Sequence, residues 1–520
     1  MSEYISLLWP AERQKYKDNI RRLNDEVIND LSIEYLCNKI ASGKDQVSWI
    51  KDILCTIVSS EEVIKYRQNI FEDIYSNSEL NQKLVEILEE LKFLFEVNSK
   101  KNKYNEEPSI FRVITRVREL DAYSNTIHGI DDCLSRIDYK SEGLKKLHKL
   151  VKEIISDPLF FSLREDNKRM VYEVNKIKSL TFGMNLNNLL EPTEVTLLSI
   201  NDVKFKETKS FVNSLLNISQ NIKSRSSQNE IARNINYDSF FNNKMKRMSL
   251  DRAEPVIYHF TSDIQEMLKP TYKEMINLLN KYTEINSAML IGIIPEIEFY
   301  LSISKMLKQI EKQGVAITKP ELNDKETRRL YAKDFYNIKL ALHMIEEKTD
   351  LRQNMILNSI ELNENGRVVI LTGANRGGKT TYTQAIGLMQ LLCQIGVFVP
   401  ASKFETSLVD TIFTHFPADE NRTIELGRFG EEAKRLGDIF ASATKYSLIL
   451  LNESLATTNH SEAIYIAGDI LRGFRLLGSK VIFNTHMHEL GKMIHEINNE
   501  IDGESKIISY ISKTINGERK

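Results

Sequence analysis

The stretch Gly373-Ala-Asn-Arg-Gly-Gly-Lys-Thr380 follows a short apolar run and opens a helical pattern, TTYTQAIGLMQLL, that starts at residue 380. It matches GxxxxGK[ST] in full, in the order of strand, glycine-rich loop and helix that gives this pattern its meaning. The glycines let backbone N–H groups converge on phosphates, and the helix N-terminus adds its positive end. The sequence therefore predicts a nucleoside triphosphate site, with Lys379 on the β- and γ-phosphates and Thr380 on Mg²⁺.

Three short apolar runs in the last third of the chain predict buried parallel strands. They are Val368 to Leu371, Leu448 to Leu451 and Val481 to Phe483. Helical patterns separate them, which indicates a doubly wound α/β domain.

The first two thirds of the chain are predicted to be mainly helical. In NQKLVEILEELKFLFEV (81–97) the apolar residues Leu84, Leu88, Leu91 and Phe95 recur at the helical period. The polar stretch 98–109 ends near a proline and is predicted to be a loop or boundary. β-Branched clusters between 172 and 200 predict short strands that interrupt the helices.

Polar residues follow two of the apolar runs. Asn452 and Glu453 end the second run, at the place where P-loop ATPases carry an acidic Mg²⁺ ligand and often a glutamate that activates the attacking water. Because Asn452 brings an amide in place of a carboxylate, we expect weaker Mg²⁺ binding, with Glu453 as the candidate base. His486, past the third run, can hydrogen-bond a γ-phosphate or the attacking water. The alternatives are a solvated strand end and a structural histidine.

Composition excludes several classes of protein. A formal net charge of −2 over 520 residues gives no overall basic footprint for nucleic acid, although a local basic face is compatible with it. The four cysteines have no CxxC spacing, which favours buried thiols in a reducing compartment. No window approaches about 18 uninterrupted apolar residues, so we expect a cytoplasmic protein without a membrane span. The polar stretch 217–252 is locally basic; a solvated insertion is favoured over a nucleic-acid-binding arm.

Three segments carry a family resemblance. The stretches TGANRGGKTTYTQAIGLMQLLCQIGVFVPA (372–401), LLNESLATTNHSEA (450–463) and NTHMHEL (484–490) resemble the Walker A, the Walker B with D-loop, and the histidine switch of the MutS family of ABC-type ATPases. The resemblance implies an α/β P-loop domain of ABC type after a mainly α-helical core and lever region. It suggests a helical part of the core at 1–105, a core, lever and clamp region with the polar insertion at 106–335, and the ATPase domain at 336–520.

The resemblance also implies roles for individual residues. Glu453 would be the hydrolytic base, His486 would sense the γ-phosphate, and Asn358 would lie near the adenine. Family sites are composite, so the loop Glu425 to Glu432 of a second subunit would meet the nucleotide, with Arg428 in trans; an ordinary exposed helix start is the alternative for Arg428. The residues implied to hold ATP phosphates are Gly373, Ala374, Asn375, Arg376, Gly377, Gly378, Lys379, Thr380 and Thr381, and those implied for Mg²⁺ are Thr380, Asn452 and Glu453.

The functional expectation is an ATP-hydrolysing, DNA-binding homodimer that closes as a clamp on branched or distorted duplex, in DNA repair or recombination. Nothing at the N-terminus resembles the family's mismatch-reading domain with its Phe-x-Glu wedge, and the triplet Phe205-Lys-Glu207 is interpreted as accidental. Mismatch recognition by that device is therefore not expected. Two alternatives stay open: a nucleotide-gated scaffold with little hydrolysis, and an ATPase that acts on structured RNA or the ribosome.

Overall fold

A computed structural model describes most of the chain. The described residues are 5–41, 43–101, 110–189, 192–204, 273–285, 287–373, 378–417, 427–455, 459–512, 514–515 and 518–519. The predicted insertion at 217–252 and the triplet at 205–207 lie outside them. The chain divides into two compact units, one of residues 1–88, 130–151 and 292–520, the other of residues 89–129 and 152–291. The three-part division inferred from the sequence stays a prediction.

Sixteen α-helices lie within the described residues. In chain order they are α1 (Asp25–Asp30), α2 (Ile33–Ile40), α3 (Lys44–Leu54), α4 (Glu61–Ser76), α5 (Ser78–Lys101), α6 (Ile110–Arg136), α7 (Glu142–Ser156), α8 (Pro158–Asn175), α9 (Ala288–Gly292), α10 (Ile294–Glu311), α11 (Ile338–Glu346), α12 (Leu351–Asn354), α13 (Lys379–Gln394), α14 (Gly427–Ser442), α15 (His460–Leu477) and α16 (Leu490–Glu500). None of these described helices combines the length and apolarity needed to cross a bilayer.

The strands are short and fall into several sheets. They are β1 (Ile20–Arg22), β2 (Thr56–Val58), β3 (Ser179–Leu186), β4 (Pro192–Asn201), β5 (Glu321–Asn323), β6 (Leu330–Phe335), β7 (Asn358–Leu362), β8 (Val368–Gly373), β9 (Lys403–Ser407), β10 (Ile412–His415), β11 (Leu448–Asn452), β12 (Lys480–Asn484), β13 (Ile507–Ser512), β14 (Thr514–Ile515) and β15 (Glu518–Arg519). The strands predicted from the three apolar runs are confirmed as β8, β11 and β12. The hairpin of β3 and β4 confirms the strands expected between 172 and 200.

A five-stranded parallel sheet forms the centre of the first unit, in the order β10-β11-β12-β8-β13. Because side chains alternate along a strand, each strand has two buried faces to cover. One face packs against α14, α15 and α16 through Val368, Ile370, Ile449, Leu451, Val481 and Phe483. The other face meets α13, where Gly387 lies against Leu450. The predicted α/β domain, with helices on both faces of a parallel sheet, is confirmed. A mixed four-stranded sheet, β5-β9-β6-β7, stands beside it in the same unit.

Helix α5 departs from its prediction in two respects. It continues to Lys101, so residues 98–101 of the predicted loop are helical, while 102–109 lie outside the described residues. Leu84, Leu88 and Leu91 are buried as expected, but Phe95 is 52% exposed and Leu94 takes the buried position. Helical spacing predicts which face of a helix is apolar. It does not decide which of two adjacent apolar residues at the edge of that face packs against the core.

Helix α13 is enclosed by protein on nearly all sides. The amide of Gln394 near its end donates from Nε2 to the carbonyls of Val58 on β2 and of Val409, at 2.8 and 2.9 Å, and its Oε1 accepts the N–H of Val409. Gln390 also donates to that oxygen, so the buried amide is fully partnered. A buried polar group stabilises only when it is paired in this way.

The helix is terminated two residues past Gln394 by Gly396, where φ is 87° and the N–H groups of Gly396 and Val397 bond back to the carbonyls of Cys393 and Leu392. This left-handed terminus suits glycine, since a side chain there is strained. Space adds a second constraint, because a Cβ on Gly396 would lie 2.2 Å from the Cβ of Arg67. Arg67 cannot yield easily: it is buried, donates from Nε to the Leu8 carbonyl, and stacks over Trp9.

We predict that Gly396→Ala lowers the free energy of unfolding by about 2 kcal/mol or more, because backbone strain and overpacking add. The matched control is Gly437→Ala in α14, where a Cβ would meet nothing within 4 Å. That change should stabilise the helix by about 0.5 to 1 kcal/mol. Denaturant unfolding of both variants measures the difference; equal midpoints would contradict the assigned packing.

Candidate nucleotide site

The predicted site residues converge because three parallel strands end at one edge of the sheet. In the register, Asn452 at the end of β11 lies opposite Asn484 at the end of β12, and Asn484 lies opposite Leu371 on β8. Two residues later β8 ends at Gly373, where the glycine-rich stretch begins. Ligands of open α/β sheets bind at this carboxyl edge.

The residue before α13 has a left-handed backbone conformation that favours glycine. Gly378, which precedes the helix, has φ of 80°, and a Cβ there would meet nothing within 4 Å. Lys379 is buried and donates from Nζ to the carbonyl of Gly373, at 3.1 Å, across the base of the loop. Burial lowers the pKa of Lys379, and the charge of Glu453 opposes this shift. The lysine and the carboxylate are thus electrostatic neighbours.

Thr380 and the two asparagines form a hydrogen-bonded row. The Thr380 hydroxyl donates to Asn452 Oδ1 at 3.0 Å, and the side-chain amide of Asn484 donates to the same oxygen. The Oδ1 of Asn484 is buried with no hydrogen-bond partner among the described residues. An unpaired buried acceptor is costly, so it indicates a place for a donor such as a hydrated ion.

Glu453 and His486 are in direct contact. The Nε2 of His486 lies 2.7 Å from Oε1 of Glu453, and both side chains are about one-third exposed. Because an ionised carboxylate only accepts, this contact places a hydrogen on Nε2. Glu453 has φ of 52°, and its N–H donates to the Asn484 carbonyl at 2.8 Å. The candidate base is therefore held by its side chain and by its backbone.

The other predicted residues make contacts outside this group or lie outside the described residues. Asn358 begins β7 in the mixed sheet, and its side chain donates to the Ile356 carbonyl within its own segment. The carbonyl of Thr381 accepts from Asn337. Arg428 lies in the first turn of α14, but its side chain is outside the described part of the chain, as are residues Ala374, Asn375, Arg376 and Gly377.

Several residues that contact the candidate site residues were not predicted from the sequence. Asn484 was visible as the end of an apolar run, in register with Asn452. His415 ends β10 in the same manner, and its Nδ1 lies 2.7 Å from the Ser454 hydroxyl. A polar residue at the carboxyl end of each apolar run was the available signal. No local pattern marks Glu432, whose carboxylate accepts the Leu455 N–H at 3.0 Å from a separate helix.

The residues present fit a nucleotide phosphate and Mg²⁺. A buried lysine, a left-handed glycine before a helix and the helix N-terminus are parts that hold phosphates. A hydroxyl, an amide oxygen and one carboxylate are the hard oxygen donors that Mg²⁺ prefers. Within the described residues no group of three histidine, cysteine or acidic side chains forms a metal cage. Such a set suits an ion shared with substrate phosphates rather than one held by protein alone.

His415 should titrate outside the physiological range. Burial, and secondly the charge of Arg435, lowers the pKa of His415 to about 4. Since the unfolded histidine titrates near 6.5, the unfolded chain takes up its proton first as the pH falls, and stability is lost from about pH 6.5 downward.

We predict that this group alone removes about 2 kcal/mol of stability between pH 7.5 and pH 5. His415→Asn keeps an N–H for Ser454 but does not titrate, so its stability should vary less with pH. His495→Asn, at an exposed position of α16, is the control and should follow the wild type. Urea unfolding at the two pH values measures this; parallel curves for all three proteins would refute the assignment.

The chain matches two known families over separate segments. Residues 369–513 match the family described as MutS domain V, and residues 59–313 match the MutS2 N-terminal domain. The first match contains the strand ends, α13 and the Glu453–His486 pair. The second covers most of the helical part of the chain.

Individual relatives give the same result. The chain is 26% identical to the DNA mismatch repair protein MutS of Clostridium perfringens, over 90% of this chain and 51% of that protein. It is 26% identical to the protein of that name from Caldicellulosiruptor bescii, over 82% and 53%, and 28% identical to that from Thermotoga maritima, over 49% and 31%. The chain thus spans about half the length, or less, of these relatives. With both segments matched and this similarity along most of its length, the chain is similar to proteins of the MutS family.

Proposed function

We propose that the chain binds and hydrolyses ATP through an ABC-type P-loop site and couples this cycle to DNA binding. The observation that carries the proposal is the convergence at one sheet edge of Lys379 and Thr380 with Asn452, Glu453 and His486. Phosphate-binding groups and a base candidate occupy neighbouring strand ends. This arrangement fits transfer of a phosphoryl group to water.

Each residue has a task that follows from its position. Lys379 balances phosphate charge, and its desolvated surroundings strengthen that attraction. Thr380 and Asn452 present oxygens on one side of the loop, and Asn484 orients the Asn452 amide. A bound Mg²⁺ would neutralise charge on the β- and γ-phosphates.

Glu453 is the proposed general base. Its carboxylate is partly exposed, so water reaches it, and the contact with His486 orients it. The His486 ring lies beside the Glu453 carboxylate. A γ-phosphate that accepted the hydrogen of His486 Nε2 would compete with Glu453 for it and so alter the contact between the two side chains. This is the basis for proposing His486 as the residue that senses the phosphate.

Two further elements of the proposal concern partners. A homodimer would complete the site with the loop Glu425 to Glu432 and Arg428 in trans, as in the composite sites that the family resemblance implies. DNA is the proposed nucleic acid because the relatives are named DNA mismatch repair proteins. Branched or distorted duplex is the proposed form, since a reader of DNA shape relies on phosphate contacts and deformability more than on base contacts.

A nucleotide-gated scaffold is the second candidate, and one observation favours it. Asn452 supplies a neutral oxygen where an aspartate would supply a negative charge, and that oxygen already accepts from Thr380 and Asn484. Weaker Mg²⁺ binding would slow hydrolysis while leaving ATP binding intact. The measured turnover of the wild type decides between the two candidates.

We predict that Lys379→Ala and Glu453→Gln separate binding from hydrolysis. Lys379→Ala should abolish detectable ATP binding, because it removes the buried charge on the phosphates. Glu453→Gln should bind ATP as the wild type does but hydrolyse it about 100-fold more slowly or worse, as expected for loss of a general base. Equilibrium binding of a fluorescent ATP analogue and single-turnover hydrolysis give the two quantities.

Lys492→Ala, at an exposed site on α16, is the control and should change neither quantity. If wild type and Glu453→Gln share a background rate while both bind ATP, the scaffold is the correct function. If the wild type does not bind ATP, both candidates fall.

We predict that branched DNA competes for the protein at least about tenfold better than homoduplex or structured RNA of equal length. All three are compared at one fixed salt concentration, with and without a non-hydrolysable ATP analogue, because phosphate-driven affinity depends steeply on salt. Preference for RNA would instead support the alternative of an ATPase that acts on structured RNA or the ribosome. Sedimentation of the same samples reports whether the analogue drives dimerisation; a monomer at saturating analogue would contradict the composite site.

A further inference from the structure

The three residues that contain the candidate base form a strained segment. Glu453 and Leu455 have φ of 52° and 68°, in the left-handed region that bulky residues rarely adopt. Such a conformation is unfavourable by itself and persists only where the surroundings hold it. The contacts that hold this segment therefore determine where the Glu453 carboxylate lies.

Contacts from three directions hold the segment. The Glu453 N–H donates to the Asn484 carbonyl on β12, and the Ser454 hydroxyl meets His415 on β10. The third is the Leu455 N–H, which donates to Oε2 of Glu432 on α14 at 3.0 Å. The Leu455 side chain is also buried in the core beside Leu436 of α14. A charged acceptor makes the strongest of these hydrogen bonds.

Helix α14 is itself anchored to the sheet. One turn after Glu432, Arg435 donates to the carbonyls of Thr414 and Phe416 and to the carboxylate of Asp30 on α1. Burial raises the pKa of Asp30, and the charge and hydrogen bond of Arg435 oppose the shift. The helix starts at Gly427, in the stretch proposed to meet a second subunit. The position of α14 thus affects the backbone at Leu455, two residues past Glu453, through the hydrogen bond that Glu432 accepts.

We infer that Glu432 is a positioning residue for ATP hydrolysis, which orients Glu453 through the Leu455 N–H and links that base to α14. The inference rests on the proposed hydrolytic function. Within its own subunit Glu432 contacts the Leu455 N–H and not the reacting atoms, so its loss should leave ATP binding by that subunit intact and slow the chemical step. An error of about 1 Å in a catalytic group is enough to slow a reaction by about 100-fold.

The test is a double-mutant cycle in the full chain. Glu432→Ala should lower the single-turnover rate by about ten- to a hundredfold, with ATP affinity unchanged within about twofold. Glu432→Gln keeps an oxygen acceptor and should recover most of the rate. In a Glu453→Gln background, Glu432→Ala should produce no further loss, because the base it positions is already gone. Asp438→Ala, an exposed carboxylate on the same helix, should behave as the wild type.

Three results would overturn the inference while the proposed function stands. They are a wild-type rate for Glu432→Ala, a parallel loss of ATP affinity and thermal stability, and an undiminished effect of Glu432→Ala in the Glu453→Gln background. A wild-type protein that binds ATP without turnover removes the hydrolytic function itself, and the inference falls with it.

Discussion

The parallel register of β8, β11 and β12 is the constraint on which the site depends. It brings the carboxyl ends of three strands that are far apart in sequence to one level, so that Asn452, Asn484 and Gly373 become neighbours. A shift of one residue in any strand would turn Asn452 or Asn484 toward the other face and break the row with Thr380. Apolar side chains buried on both faces prevent that shift. The hydrophobic core thus fixes the positions of the polar side chains at the strand ends, although these side chains lie outside the core.

Two of the six described non-glycine residues with positive φ lie where the chemistry is proposed. Among the residues described with positive φ other than glycine, Glu453 and Leu455 stand in one short turn. A relaxed strand end would carry the Glu453 carboxylate along with the backbone toward solvent. The left-handed turns instead return it to the edge of the sheet, within reach of His486. The contacts around this turn hold a backbone conformation that would be unfavourable by itself.

Much of the site followed from sequence because its cause is local or topological. A glycine-rich loop between a strand and a helix fixes the direction of Lys379 and Thr380, and parallel strands place Asn452 and His486 on the same edge. The contacts of Glu432 and His415 could not be derived in this way. They depend on how α14 and β10 pack, which is decided by the shape of distant side chains. Phe95 illustrates the same limit within a single helix. The helical spacing predicted the apolar face of α5, but it did not predict that Leu94 would be buried in place of Phe95.

The amide of Gln394 has a mechanical consequence. It joins the helix of the phosphate loop to β2, 336 residues earlier in the chain, through hydrogen bonds with no access to water. Sliding or rotation of α13 would leave both the amide and the Val58 carbonyl unpaired inside the protein. The two-stranded sheet of β1 and β2 is therefore tied to the helix that follows the glycine-rich stretch. A fragment that starts at residue 336, the predicted start of the ATPase domain, would lose this attachment and leave the Gln394 amide without the Val58 carbonyl.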